Sequence, residues 1–128
     1  QNKMTAHVLA QLLYKIHSDP LLSKLINGLP ISGKSGTLQS RYIKTAPDAI
    51  GLVKAKTGTL TGTVSLAGYV QSGDREYAFA IIADKIGRTN SASDRARKTV
   101  DRYLAKIAAP LAIPTPESAT VTAEVQTL

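Results

Sequence analysis

Apolar side chains recur along this chain at two periods, and the switch between them marks out its elements. Met4, Val8, Leu9, Leu12, Leu13 and Ile16 follow the 3.6-residue period, which predicts an amphipathic helix over 4–17 with Thr5 as its N-cap. Asp19-Pro20 opens a second, shorter helix, whose Leu21, Leu22, Leu25 and Ile26 lead to Gly28, a natural stop, with Pro30 just beyond. From Ile31 to Asp48 glycines, serines and Pro47 break any period, predicting a long loop with a turn of helix near Leu38–Arg41. Three short runs rich in β-formers come next: Val53–Lys56, Val64–Gln71 and Glu76–Ala83. They read as consecutive antiparallel strands, the last two joined by the hairpin turn Ser72-Gly73-Asp74-Arg75. The helical period returns over 91–108, with Ala96, Val100, Tyr103, Leu104 and Ile107 as the buried stripe and Arg95, Lys98, Arg102 and Lys106 as a basic ridge. Beyond Pro110, Pro114-Thr115-Pro116 gives way to alternating Val121, Ala123 and Val125, a linker or an added edge strand.

Helices flanking successive antiparallel strands predict an α+β fold, with 1–110 as the body and 111–128 as a tail or added edge strand. A length of 128 residues suits one domain with a modest core, or part of a larger one. No apolar run approaches the roughly 18 residues that would cross a bilayer. The absence of cysteine excludes disulfides and thiol catalysis. A net charge of +7 raises the question of an anionic partner. The ridge on the last helix reads first as a solvated face, and second as a weak attraction to an anionic cell envelope. Nucleic acid is not expected, because no aromatic residues interleave with the basic ones. His7 and His17 have no cysteine or acidic cluster beside them, so neither a metal nor a cofactor is implied; His17 reads as a helix-dipole partner, Asp84 as a turn residue, and the scattered tyrosines as packing.

Two motifs bear on chemistry. Gly28-Leu29-Pro30-Ile31-Ser32-Gly33-Lys34-Ser35 satisfies the P-loop spacing, and Phe79–Asp84 ends an apolar strand in a carboxylate. A P-loop, however, needs a strand before it and a helix after it, and here a helical stripe precedes it and a polar, proline-interrupted stretch comes after. The second motif is Lys56-Thr57-Gly58-Thr59, within Lys54-Ala55-Lys56-Thr57-Gly58-Thr59-Leu60-Thr61-Gly62 and between two predicted strands. A Lys-Thr-Gly strand is one of three elements of the acyl-transfer site of penicillin-binding proteins and class A β-lactamases. In such a site the substrate peptide adds as an antiparallel strand along its edge, and Gly58 would let that backbone come close.

Together with Leu29-Pro30-Ile31-Ser32-Gly33, Gly36-Thr37-Leu38 and Ser65-Leu66-Ala67-Gly68-Tyr69-Val70, this string resembles the low-molecular-mass class C penicillin-binding proteins. Those are serine D-alanyl-D-alanine carboxypeptidases and endopeptidases of bacterial peptidoglycan. The resemblance implies that Lys56 supplies a charge that draws the substrate carboxylate and tunes a proton relay. It implies that the Thr57 and Thr59 hydroxyls bind that carboxylate, that the Thr59 N–H forms half of the oxyanion hole, and that Gly58 and Thr61 line the substrate path. Strand alternation nonetheless puts Lys56 and Gly58 on one face and Thr57 and Thr59 on the other. Neither Ser-x-x-Lys nor Ser-x-Asn occurs in the chain. The expectation is therefore a C-terminal portion of such an enzyme, extracytoplasmic, active only with an N-terminal segment that supplies the serine, and sensitive to β-lactam antibiotics. A non-catalytic, basic cell-wall-binding module and a small P-loop protein are the rival readings.

Overall fold

The computed structural model describes residues 5–109 and 120–128. Helix α1 (Ala6–Ser18) begins where expected, the Thr5 hydroxyl accepting the Val8 N–H at 3.2 Å. Met4, the predicted start of its stripe, lies outside the described residues, as do 110–119 of the tail. The predicted second, shorter helix is a 3-10 helix, Leu22–Gly28, with Asp19 Oδ1 accepting the N–H of Leu21 and Leu22. The loop after it holds short 3-10 turns at Gly36–Leu38 and Pro47–Ala49. The chain continues through strands β1 (Val53–Leu60), β2 (Thr63–Ser72) and β3 (Arg75–Asp84), then helix α2 (Asn90–Ala108) and strand β4 (Thr120–Thr127). All pairings are antiparallel and the sheet order is β1-β2-β3-β4. The fold is α+β, as the pattern predicted, with a fourth strand drawn from the tail. Asp84 closes β3, and the neighbouring Lys85 turns the chain with φ 54°.

The sheet has a helix on each face. On one, Val53, Leu66, Val70, Phe79 and Ile81 pack against Val100, Leu104 and Ala108 of α2, with Leu38 and Tyr42 of the loop completing the core. On the other, Ala6 and Ala10 of α1 pack on Ala80, with Leu9, Ala67 and Ile82 around them. This departs from the expected stripe, because Val8 and Leu12 are 48% and 44% exposed. The sheet surface beneath α1 presents Ala67 and Ala80, and the small Ala6 and Ala10 of the helix settle onto it closely, with Leu9 beside them. Leu21, Leu22 and Leu25 are exposed as well. The sheet holds α1 by side chains also: the Tyr69 hydroxyl donates to the Leu13 carbonyl at 2.6 Å, and His7 and His17 face Glu124 and Glu76 at 3.2 and 3.6 Å. His17 thus serves a cross-element contact and rests on the Tyr69 ring, 5.6 Å between centroids.

On α2 the stripe is buried as predicted at Ala96, Val100 and Leu104, but it also takes in Asp101. That carboxylate receives Arg41 Nε at 3.0 Å and Nη2 at 2.5 Å, a two-pronged bond between side chains only 13% and 2% exposed. Burial raises the Asp101 carboxyl above its usual range, although the Arg41 hydrogen bond and charge pull the other way. The adjacent Tyr42 takes φ 73°, and its side chain is buried in the core. Its hydroxyl lies by Asp101 without an ordinary hydrogen bond, and burial, reinforced by the Asp101 charge, holds the phenol far above its usual range.

These contacts set two expectations for stability. Asp101→Ala strands the Arg41 guanidinium in a mostly buried site, and should cost about 3 kcal/mol or more in urea unfolding, whereas replacing both partners by apolar residues should recover much of the loss. The Tyr69 phenol is pushed up to about 12, mainly by burial and then by Glu76. Since its folded pKa exceeds its unfolded one, its contribution is complete below pH about 10 and is lost as pH rises through about 12. Tyr69→Phe should flatten the stability–pH curve over that interval, and an unchanged slope would refute the assignment.

Candidate active site

Strand pairing decides where β1 can meet a partner. Its inner edge is taken by β2, from Val53 opposite Val70 to Leu60 opposite Thr63. Its outer edge is covered only at the start: Ser32 N–H donates to the Val53 carbonyl, Val53 N–H to Ser32 Oγ, and Ala55 N–H to the Pro30 carbonyl. Ser32 is fully buried and also donates to the Ala49 carbonyl at 2.6 Å, so this clamp is internally satisfied. Alternation along the strand then turns the N–H and C=O of Thr57 and Thr59 to the same outer edge. Among the described residues the hydrogen bond found there is from Lys56 Nζ to the Thr57 carbonyl, at 2.8 Å. The Lys-Thr-Gly-Thr string therefore lies wholly within β1, and among the described residues no strand pairs with its outer edge, which can take an added strand.

The clamp segment Gly28–Ser35 is also the P-loop candidate, and it takes another form. It leaves a 3-10 helix and bridges to β1 at Ile31 and Lys54, and its Ser35 Oγ accepts the Ile31 N–H at 3.0 Å. Its glycines serve this turn instead of opening a phosphate-binding helix.

The register puts Thr57 and Thr59 on the α2 face of the sheet and Lys56 and Gly58 on the α1 face. Helix α1 packs on β2, β3 and β4, which leaves Lys56 exposed. The Thr57 hydroxyl meets the Thr37 hydroxyl at 3.3 Å, and the exposed Thr59 hydroxyl is approached by Arg97 Nη2 at 3.5 Å. Thr61 sits in the two-residue turn between β1 and β2, at the rim of a cleft of about 360 Å³ that runs from Thr59 to the start of α2. Neither Thr37 nor Arg97 could be found by spacing, since each reaches β1 across the fold. The only sequence signal is that Gly36-Thr37-Leu38 belongs to the resembling string. Gly36 takes φ 55°, and a Cβ there would lie 3.0 Å from the Pro30 ring, so the turn that presents Thr37 requires glycine.

Within the sheet, Gly58 makes room for a neighbouring side chain. A Cβ on it would lie 2.5 Å from Ser65 Oγ of the neighbouring strand, and that hydroxyl reaches the Gly58 carbonyl at 3.4 Å. The missing side chain admits a cross-strand serine within the sheet, on the face away from the threonine hydroxyls.

Residues 1–107 match the family described as D-Ala-D-Ala carboxypeptidase 3 (S13). The chain belongs to this family. Among its relatives, carboxypeptidase DacB of Mycolicibacterium smegmatis is 44% identical over 94 residues, 69% of this chain and 20% of that protein. The D-alanyl-D-alanine carboxypeptidase of an Actinomadura species is 38% identical over 86 residues, 63% of this chain and 16% of that protein. Penicillin-sensitive carboxypeptidase A of Dictyostelium discoideum is 40% identical over 72 residues, 52% of this chain and 13% of that protein. The chain thus spans a fifth or less of the length of these relatives.

The Gly58 geometry can be tested by a double-mutant cycle. Gly58→Ala should cost about 1–3 kcal/mol through overpacking against Ser65. Adding Ser65→Ala should return a large part of it; additive losses in thermal unfolding would show that the crowding is not the cause.

Proposed function

We propose that this chain is the Lys-Thr-Gly portion of a serine D,D-peptidase that acts on the D-Ala-D-Ala stem peptides or cross-links of bacterial peptidoglycan. The observation that carries the reading is the outer edge of β1, which no other strand covers at Thr57 and Thr59 among the described residues and which their hydroxyls flank. A stem peptide adding antiparallel to this edge would hydrogen-bond to the outward Thr59 groups, which brings its penultimate carbonyl to the Thr59 N–H.

A second segment of the same polypeptide would supply the nucleophile, since this chain has no Ser-x-x-Lys or Ser-x-Asn. The serine oxygen adds to the D-alanyl carbonyl, and the oxyanion is held by the Thr59 N–H and the serine's own N–H. Collapse expels the terminal D-alanine or the cross-linked amine, which takes the serine's proton through the relay, and water then clears the ester. Lys56, exposed on the α1 face, would act on that relay by its charge. β-Lactams would acylate the same serine, and the substrate puts the enzyme outside the cytoplasm. The exposed Arg95, Lys98 and Arg102 would add a weak attraction to an anionic envelope.

Incubating this chain, assembled with its serine-bearing segment, with a fluorescent penicillin should leave covalent label on that segment in a denaturing gel. Lys56→Ala should slow labelling by about 100-fold or more. Failure of the assembled wild type to label, or near-normal labelling of the variant, would refute the reading.

A further inference from the structure

Arg97 is half-buried on α2, and its side chain makes one polar contact among the described residues, at the outer limit of hydrogen-bond length, to Thr59 Oγ1. It pairs with no carboxylate among the described residues. The two acids nearest in sequence on its helix are already engaged, Asp94 with Lys98 at 3.1 Å and Asp101 with Arg41. A guanidinium carries five N–H donors, so most of those on Arg97 remain open. The cleft before it is lined by Thr59, Thr61, Arg88, Thr89, Ser93 and Arg97, and no aspartate or glutamate contributes to its wall. Cations and hydroxyl groups without an anion, beside a strand edge open to a peptide, select an acidic group on that peptide.

The faces of β1 then decide which cation meets it. Lys56 stands on the α1 face with its ammonium on the Thr57 carbonyl, while the hydroxyls of Thr57 and Thr59 lie on the α2 face with Arg97. By accepting from Arg97, Thr59 Oγ1 keeps its own proton free to donate outward. Arg41 Nη2 reaches the Arg97 carbonyl at 3.5 Å, so the buried ion pair also steadies the helical turn that carries the guanidinium. We propose that Arg97, from outside the Lys-Thr-Gly string, is the cationic binding residue for the C-terminal carboxylate of the substrate, which it receives together with the Thr59 hydroxyl. This rests on the peptidase reading above and deepens it. Lys56 is thereby left to the proton relay.

The test compares peptides ending in D-Ala-D-Ala as the free acid and as the C-terminal amide, using the chain assembled with its serine-bearing segment. The wild type should prefer the acid. Arg97→Gln should lower kcat/KM for the acid by about 100-fold, largely through KM, so that the acid-to-amide ratio collapses toward unity. Arg97→Lys, which keeps the charge without the planar fork, should recover part of the ratio. An unchanged ratio in Arg97→Gln, equal losses on both peptides, or a wild type indifferent to the terminal group would overturn the assignment while leaving the peptidase reading intact. An assembled wild type that cleaves neither peptide would overturn both.

Discussion

An antiparallel strand has two edges, and β1 uses them unequally. β2 takes the whole of the inner edge, while the segment around Ser32 takes the outer edge only as far as Ala55. Everything distinctive about the Lys-Thr-Gly-Thr string stems from that asymmetry. A fully paired strand would offer a peptide no backbone partners, and an unclamped one would fray at the end that sets the register. Buried Ser32, bonded to both Ala49 and Val53, fixes the start of the strand. From Lys56 onward, β2 is the strand's one backbone partner among the described residues.

The second constraint is the buried pair of Arg41 and Asp101. It joins the irregular loop to α2, so that Thr37 from one and Arg97 from the other converge on neighbouring threonines of β1. Such a pair contributes little net stability, because desolvating two charges offsets most of their attraction. Its value here is positional, since the loop has no regular backbone pairing beyond short turns to hold it on the helix.

The elements that pack by period are legible in the sequence. The Thr5 cap, the three strands, their hairpin and the stripe of Ala96, Val100 and Leu104 come from local pattern. Pattern misleads where packing overrides it. By period the large apolar residues of α1 suit a buried face, yet the sheet at Ala67 and Ala80 accepts Ala6 and Ala10, with Leu9 beside them, and Val8 and Leu12 stay exposed. Leu22–Gly28 winds as a 3-10 helix for which periodicity gives no separate sign. Asp101 is invisible as a core residue because its partner is far away in sequence. Of the site, the string itself and the division of its faces can be read from the residues; Thr37 and Arg97 require the fold.

The strict alternation of β1 carries an evolutionary corollary. Its Lys56 and Thr57 point to opposite sides of the sheet, and a tight two-residue turn ties its far end to β2. Losing or gaining one residue between Ala55 and Lys56 would not blunt this arrangement but invert it, sending the ammonium toward α2 and the hydroxyls away from it. Substitutions along the strand can be graded, whereas a change of length is all or nothing. Length variation within the family is thus expected to gather in the turns and the loop, and to spare the strand itself from Val53 to Leu60.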